Sequence, residues 1–342
     1  MSIKLKSLED QVIVITGATS GIGLTTARLA AERKARLVLA ARNEDALAKL
    51  TTEINAAGGN AVYVAADVGN EGDVKKIAAE ALNKFGGFDT WVNNAAVSIY
   101  GKLEDVPIED MRQLFETNFW GVVYGSLVAA ESLKSSGGAI INVGSTLSDR
   151  AIPLQGIYCA SKHAVKGFTD ALRMELEADE APISMTLIKP AAIDTPYKEH
   201  ARNYLDVNPE NPPPVYSPDA VAETILHCAE NPVRDVFVGA AAKAHSVAGK
   251  YAPRVFDQIM ESTMLGQTRS GEPAEPTPLE GLYESKDARL SERGTYDGHV
   301  SESSLYTKAS LHPVLTGAGA AFALGAAGLA YRYYSKKNSR EH

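Results

Sequence analysis

Between residue 11 and about residue 240, short apolar runs alternate with longer segments in which apolar residues recur at helical spacing. QVIVITG, ARLVLAA, NAVYVAAD, DTWVNNA, GAIINVG and ISMTLIKP are apolar almost throughout, and RDVFVG at 234–239 repeats the pattern a seventh time. A strand with one wet face alternates apolar and polar residues, whereas a strand covered on both faces does not. Segments such as LTTARLAAERK and NEDALAKLTTEINAAG carry the stripe of an amphipathic helix. This succession predicts repeated right-handed βαβ units and a doubly wound α/β fold, a parallel sheet of about seven strands with helices on both faces.

After residue 190 the pattern changes. PPPVYSPDA punctuates a loop, VAETILHCAE reads as a short helix, and AKAHSVAGKYAPRVFDQIMESTM as one or two more. The expected organisation is a body over 8–240 with a lid at about 190–216, a helical extension over 241–265, and a polar, poorly ordered linker over 266–312. Residues 313–331 then run 19 positions without a charge, ahead of the basic RYYSKK. A bilayer-spanning helix needs about 20 residues, so a transmembrane helix, membrane contact and a membrane-associated cytoplasmic body are expected. The competing reading is a terminal helix packed on the body or on a subunit. Ala and Gly dominate the run, and a basic end on the far side of a membrane opposes the positive-inside bias.

Charged residues make up 22% and apolar residues 45% of the 342 positions, globular proportions with length enough for one large core or two modest ones. The net charge of −8 supplies no excess of cations to displace phosphate counterions, which argues against a broad nucleic-acid surface. Cys159 and Cys228 show neither metal-ligand spacing nor a disulfide framework, and the seven histidines form no HExxH cluster, so no metal site is expected. MSIKLKSLEDQ lacks the apolar stretch of a secretory signal.

VIVITGATSGIGLTTARLA places Gly17, Gly21 and Gly23 between an apolar strand and a helix. Glycine permits the tight turn and lets backbone N–H groups approach a pyrophosphate. The helix start adds donors and a favourable dipole. The arrangement is that of a dinucleotide-binding, Rossmann-type fold. NAD-preferring versions place Asp or Glu about 20 residues beyond the glycines; here the position is Ala41, followed by Arg42. The planar fork of arginine suits a 2′-phosphate that a carboxylate would repel. NADP(H) is therefore expected ahead of NAD(H). The other reading makes Arg42 a solvated residue opening a helix.

YCASK at 158–162 sets Tyr158 and Lys162 one turn apart on one helical face. Such a pair often only covers a surface. Alternatively, the ammonium lowers the phenol pKa, and the phenol passes a proton to a carbonyl oxygen or takes one from an alcohol. The neighbouring pieces decide between these. With TGATSGIG at 16–23, NNAA at 93–96, Asn118, Ser145 thirteen residues before Tyr158, and PAAIDT at 190–195, the chain over about 8–240 resembles the short-chain dehydrogenase/reductase family of the classical type.

That resemblance implies an NAD(P)H-dependent oxidoreductase transferring hydride between nicotinamide and an alcohol, ketone or aldehyde. It implies Tyr158 as general acid or base and Lys162 as its electrostatic partner, also bonded to the nicotinamide ribose. Ser145 would orient the substrate oxygen, and Asn118 would hold a water linking Lys162 to solvent. Gly17, Thr19, Ser20, Gly21, Ile22 and Gly23 would form the phosphate turn, Asp67 and Val68 would hold the adenine, and Asn94 would support the adenosine ribose loop. Ile193 and Thr195 would border the nicotinamide and pyrophosphate. The family also suggests a homo-oligomer. Ala96 and Ala191 stand where the family commonly has glycine, Gly144 replaces the usual serine, and Ser20 stands where many NADP-preferring members carry Arg or Lys.

The substrate should meet the lid, where Tyr197, His200 and Tyr204 are candidates, and the wall of Ile152, Pro153 and Leu154, which suggests a small, apolar alcohol or carbonyl compound. Two alternatives remain: an NAD-dependent alcohol dehydrogenase, and a non-catalytic nucleotide-sensing module. The intact set of Asn118, Ser145, Tyr158 and Lys162 argues against the second.

Overall fold

A computed structural model describes residues 3–274, 280–285, 288–312 and 316. The seven apolar runs form one parallel sheet of seven strands: β1 Val12–Thr16, β2 Arg36–Ala41, β3 Asn60–Ala65, β4 Thr90–Asn93, β5 Gly138–Val143, β6 Ile183–Pro190 and β7 Asp235–Val238, in the spatial order 3-2-1-4-5-6-7. Every residue of β1, β4 and β6 is buried, which is why these runs read as continuously apolar rather than alternating.

Successive residues of each strand still serve opposite faces. Ile13, Ile15, Leu37 and Leu39 pack with helices α1 (Gly21–Glu32), α2 (Glu44–Ala56) and α7 (Pro218–Glu230). Val12, Val14, Val38 and Trp91 pack with α3 (Glu71–Phe85), α5 (Gly121–Leu133) and α6 (Gly156–Ala178). Strand order reverses between β1 and β4, so the chain leaves the carboxyl ends of these two strands in opposite directions and opens a crevice there, the usual ligand position in such sheets.

The remaining elements roof that crevice. Helices α8 (Ala240–Tyr251) and α9 (Pro253–Gln267) border it, α4 (Ile108–Phe115) packs beneath Tyr158 through Leu114, and α10 (Leu305–Leu311) follows near the end of the described chain. The described parts of the segment expected to be a poorly ordered linker are instead docked. Arg269–Pro273 pairs antiparallel with Val207–Pro209, and Val300–Ser301 pairs with Val215–Tyr216, which in turn pairs with Ala192–Ile193. Thr307 on α10 accepts from the Gly239 N–H and donates to the Phe237 carbonyl beside β7. Main-chain hydrogen bonds and isolated buried anchors, Leu282 and Thr307 among them, hold this stretch. Neither device produces a hydrophobic period.

The membrane expectation is corrected. Among the described residues no helix is long and apolar enough to cross a membrane. The described residues therefore give no support to the transmembrane helix, the membrane contact and the membrane association read from 313–331. That segment, apart from Thr316, lies outside the described residues.

Candidate active site

The turn after β1 is built around glycine. Gly17 and Gly21 have φ of +66° and +51°, in the left-handed region. At Gly23 a Cβ would stand 2.1 Å from the Gly17 carbonyl oxygen, so only glycine lets α1 start this close to the turn. Asn94, leaving β4, donates from its amide to the Thr16 carbonyl at 3.0 Å and the Gly17 carbonyl at 3.2 Å, stapling the turn from the other side of the crevice. Thr195 lies against Gly21, whose Cβ would meet its side chain at 3.0 Å. Gly17, Ser20, Gly21 and Ile22 border one cavity with Ile193 and Thr195, while Thr19, Arg42, Asp67 and Val68 border an adjoining smaller one. The geometry fits a dinucleotide: positive-φ glycines, a helix start and two joined cavities at the switch point.

Ser145 follows β5 and caps a short 3-10 turn, its hydroxyl accepting from the Leu147 N–H at 3.1 Å. Tyr158 and Lys162 come from the first turns of α6, and all three border the larger cavity. Burial pushes the Tyr158 phenol up to about 12, while hydrogen bonding from the Tyr197 and Ser145 hydroxyls pulls the other way. Burial also brings the Lys162 ammonium down to about 8. Lys162 Nζ donates to the Val143 carbonyl at 2.9 Å and lies 5.7 Å from the centre of the Tyr158 ring. The expected lowering of the phenol by Lys162 is therefore not what this arrangement shows; desolvation governs both groups.

Asn118 sits fully buried in a π-helical turn, Glu116–Trp120, a local geometry that recurs at functional sites. Its carboxamide accepts from the Val97 N–H at 2.8 Å, donates to the Val97 carbonyl at 2.9 Å, and reaches Ser161 at 3.3 Å. Ser161 in turn donates to the Tyr158 carbonyl at 2.7 Å. These bonds tie the loop after β4 to α6.

Asp67 accepts from the Gly69 N–H at 2.9 Å beside Val68. Arg42 does not face open solvent: its guanidinium donates to the carbonyls of Gly281, Leu282 and Tyr283. Neither Ala96 nor Ala191 adopts a positive φ, so the missing glycines cost nothing there. At Gly144 a Cβ would crowd the Ser148 hydroxyl at 2.9 Å, which explains the absence of serine.

The larger cavity holds about 500 Å³, within the range of small-molecule sites. Tyr197 and His200 border it; Tyr204 does not, and its phenol donates instead to the Asp110 carboxylate. The Tyr197 ring stands edge-on to Tyr158 with centres 5.6 Å apart, its hydroxyl buried beside those of Tyr158 and Ser98. The sequence reading expected helices here but did not place α9, which supplies Ile259, Met260, Thr263 and Met264, or His245 on α8, at the cavity. Phe256, Met260 and Met264, spaced four apart, pack with Ile152. That spacing was the available signal.

Fold and site together define a nucleotide-binding α/β oxidoreductase. Residues 11–205, more than half of the chain, match the family model described as short chain dehydrogenase, and the chain belongs to that family. It is 49% identical over 319 residues, covering 92% of this chain and 89% of the relative, to the uncharacterized oxidoreductase YxnA of Bacillus subtilis (strain 168). It is 39% identical over 192 residues to 11-beta-hydroxysteroid dehydrogenase A of Sesamum indicum, covering 56% of this chain and 54% of that one. Among solved structures, a short chain dehydrogenase from Burkholderia cenocepacia J2315 in complex with NADP superposes with a TM-score of 0.63 at 25% identity, covering 75% of this chain and 99% of that one. The protein is an NAD(P)-dependent oxidoreductase of the short-chain dehydrogenase type.

Proposed function

We propose that Ser145, Tyr158 and Lys162 serve hydride exchange between NADP(H) and a bulky apolar secondary alcohol or its ketone. The observation that carries this reading is the convergence of these three side chains on one wall of a cavity that runs from the glycine turn to the apolar face of α9. The NADP complex of the Burkholderia relative supports the cofactor, and the hydroxysteroid activity named for the Sesamum relative supports the substrate class. Ile152, Met260 and Met264 offer such a substrate an apolar wall.

When bound, the nicotinamide supplies or accepts the hydride. Tyr158, kept protonated by burial, gives its proton to the substrate oxygen in reduction and, as phenolate, takes it back in oxidation. Ser145 donates to that oxygen and resists its developing charge. Lys162 holds its ammonium 5.7 Å from the centre of the Tyr158 ring, a cation that opposes, without outweighing, the cost that burial places on the phenolate. Asn118 acts at a distance, fixing α6 through Ser161.

The test is a purified-protein screen of cyclic and linear ketones and alcohols, steroids included, with NADPH/NADP⁺ and NADH/NAD⁺, followed by nicotinamide absorbance. Turnover of apolar ketones with NADPH is expected. A chain that binds NADPH and turns over nothing is the nucleotide-sensing module instead.

A further inference from the structure

The C-terminal stretch beyond the sheet crosses the nucleotide crevice. Two of its described parts, 280–285 and 288–294, touch the groups to which the cofactor's phosphates are assigned above. The Gly21 N–H, in the phosphate turn, donates to the Ser291 carbonyl at 2.9 Å. The Arg42 guanidinium donates to the Gly281 carbonyl, to that of Tyr283 at 3.1 Å and to that of Leu282 at 3.4 Å. Peptide carbonyl oxygens thus occupy an anion-binding N–H and the cation expected at the 2′-phosphate. Gly281 and Ser285 also border the smaller cavity that holds Arg42, Asp67 and Val68.

The stretch is anchored rather than draped. Leu282 is completely buried in the cluster of Val97, Leu114 and Tyr158. The Tyr283 phenol donates to Asp110 at 2.6 Å, the Gly281 N–H to the His200 carbonyl at 2.7 Å, and Arg202 pairs with Glu280 at 2.6 Å. Further along, Arg28 pairs with Glu292 at 2.6 Å. Arg42 is also held in a negative neighbourhood: burial lowers its pKa, and the Asp67 and Glu280 carboxylates act against that.

We propose that this strap is a built-in competitor for the cofactor's phosphates, and that its grip on Arg42 sets how strongly the site separates NADP(H) from NAD(H). The proposal rests on the nucleotide reading of the crevice given above. A carbonyl is a neutral acceptor, whereas a 2′-phosphate is doubly charged and makes hydrogen bonds to guanidinium roughly twice as strong. A 2′-phosphate therefore displaces the carbonyls of 281–283, and a 2′-hydroxyl does not. With the strap docked, only the undocked fraction of molecules takes NADP(H) freely, and apparent affinity falls by that fraction. Releasing the strap should then tighten ligands carrying the 2′-phosphate more than those without it.

The experiment uses the full chain. Leu282→Asp removes the anchor; Tyr283→Phe, at a more exposed position, removes only the bond to Asp110 and guards against misfolding of the first variant. Calorimetric titration with 2′,5′-ADP, 5′-AMP, NADPH and NADH, and stopped-flow association of NADPH, are read beside tryptic cleavage at Arg289 and Arg293. Expected are about tenfold tighter 2′,5′-ADP and NADPH binding in Leu282→Asp with a smaller gain for 5′-AMP and NADH, and a lesser shift of the same sign in Tyr283→Phe. Faster NADPH association, and faster cleavage of the wild-type strap once 2′,5′-ADP is added, are expected too. Normal NADPH binding by the wild type with unchanged or weaker binding in both variants, or protection of the strap by 2′,5′-ADP, overturns the competitor and makes the strap a clasp. Failure of the wild type to bind any of the four ligands overturns the nucleotide reading and this inference with it.

Discussion

Burying the Lys162 ammonium works against folding and for chemistry. Its folded pKa of about 8 lies below the unfolded value of 10.5, so below pH 8 the fold carries the whole cost of a dehydrated cation, on the order of a few kcal/mol. As pH rises from 8 toward 10.5 the unfolded chain holds the extra proton and stability rises. Tyr158 has the opposite sign: with the folded pKa raised from 10 to about 12, its contribution is complete below 10 and is lost as pH climbs through 12. Lys162→Met is therefore expected to melt at higher temperature than wild type below pH 8 and to lose the stability rise between 8 and 10, while turnover collapses; melting curves across pH check this. In the wild type, kcat/KM for ketone reduction should fall as pH passes about 8, and a profile flat to pH 10 would show that the lysine charge is not used. Tyr158→Phe should lower turnover by about 10² or more with NADPH affinity within a few fold of wild type; near-normal turnover defeats the assigned proton transfer.

At the scale of elements, the β1–turn–α1 unit tolerates the least change. Gly23→Ala drives a methyl into the Gly17 carbonyl and the Asn94 amide, and we expect loss of measurable NADPH binding together with a lower melting temperature, read by titration and calorimetric melting. The seven strands and the glycine turn were legible because burial on both faces and the approach of backbone to ligand each leave a signature in a few contiguous residues. The candidate residues Ser145, Tyr158 and Lys162 were legible for a similar reason, as neighbours along β5 and α6. The bonds of Arg42 and Asn118 were not, since their partners lie at 281–283 and at Val97 and Ser161. The paired strands of two to five residues in the lid also escaped, because so short an element shows no period. Helix α9 showed its stripe, and only its position over the cavity was hidden. Its two methionines should make the apolar wall adaptable; Met264→Asp is expected to raise KM for apolar ketones about tenfold or more with little change in NADPH affinity, and equal loss for polar substrates would remove α9 from the substrate wall.

For the whole molecule, the sheet and its two helical layers form the stable base, and the lid depends on chain far from it in sequence. Val207–Pro209 needs Arg269–Pro273, Val215–Tyr216 needs Val300–Ser301, and β7 is fastened at its end by Thr307. A chain ending at Leu265 should keep the far-ultraviolet signature of the sheet yet melt several degrees lower and expose the 200–216 region to proteases. An unchanged melting temperature would mean that these pairings contribute nothing.

The same interleaving fixes an order of events during synthesis. Asn118, Ser145, Tyr158 and Lys162 leave the ribosome with their sheet and helices, whereas the partners that complete the roof emerge only at 269–273 and 300–311. Domains fold as units from the amino end while translation proceeds, so until residue 282 emerges the nascent body presents an open crevice with Leu114 and Val97 waiting for Leu282. Assembly of the roof is in this sense ordered after assembly of the site, and a ribosome stalled short of residue 269 holds a chain whose candidate residues are together but still without those partners.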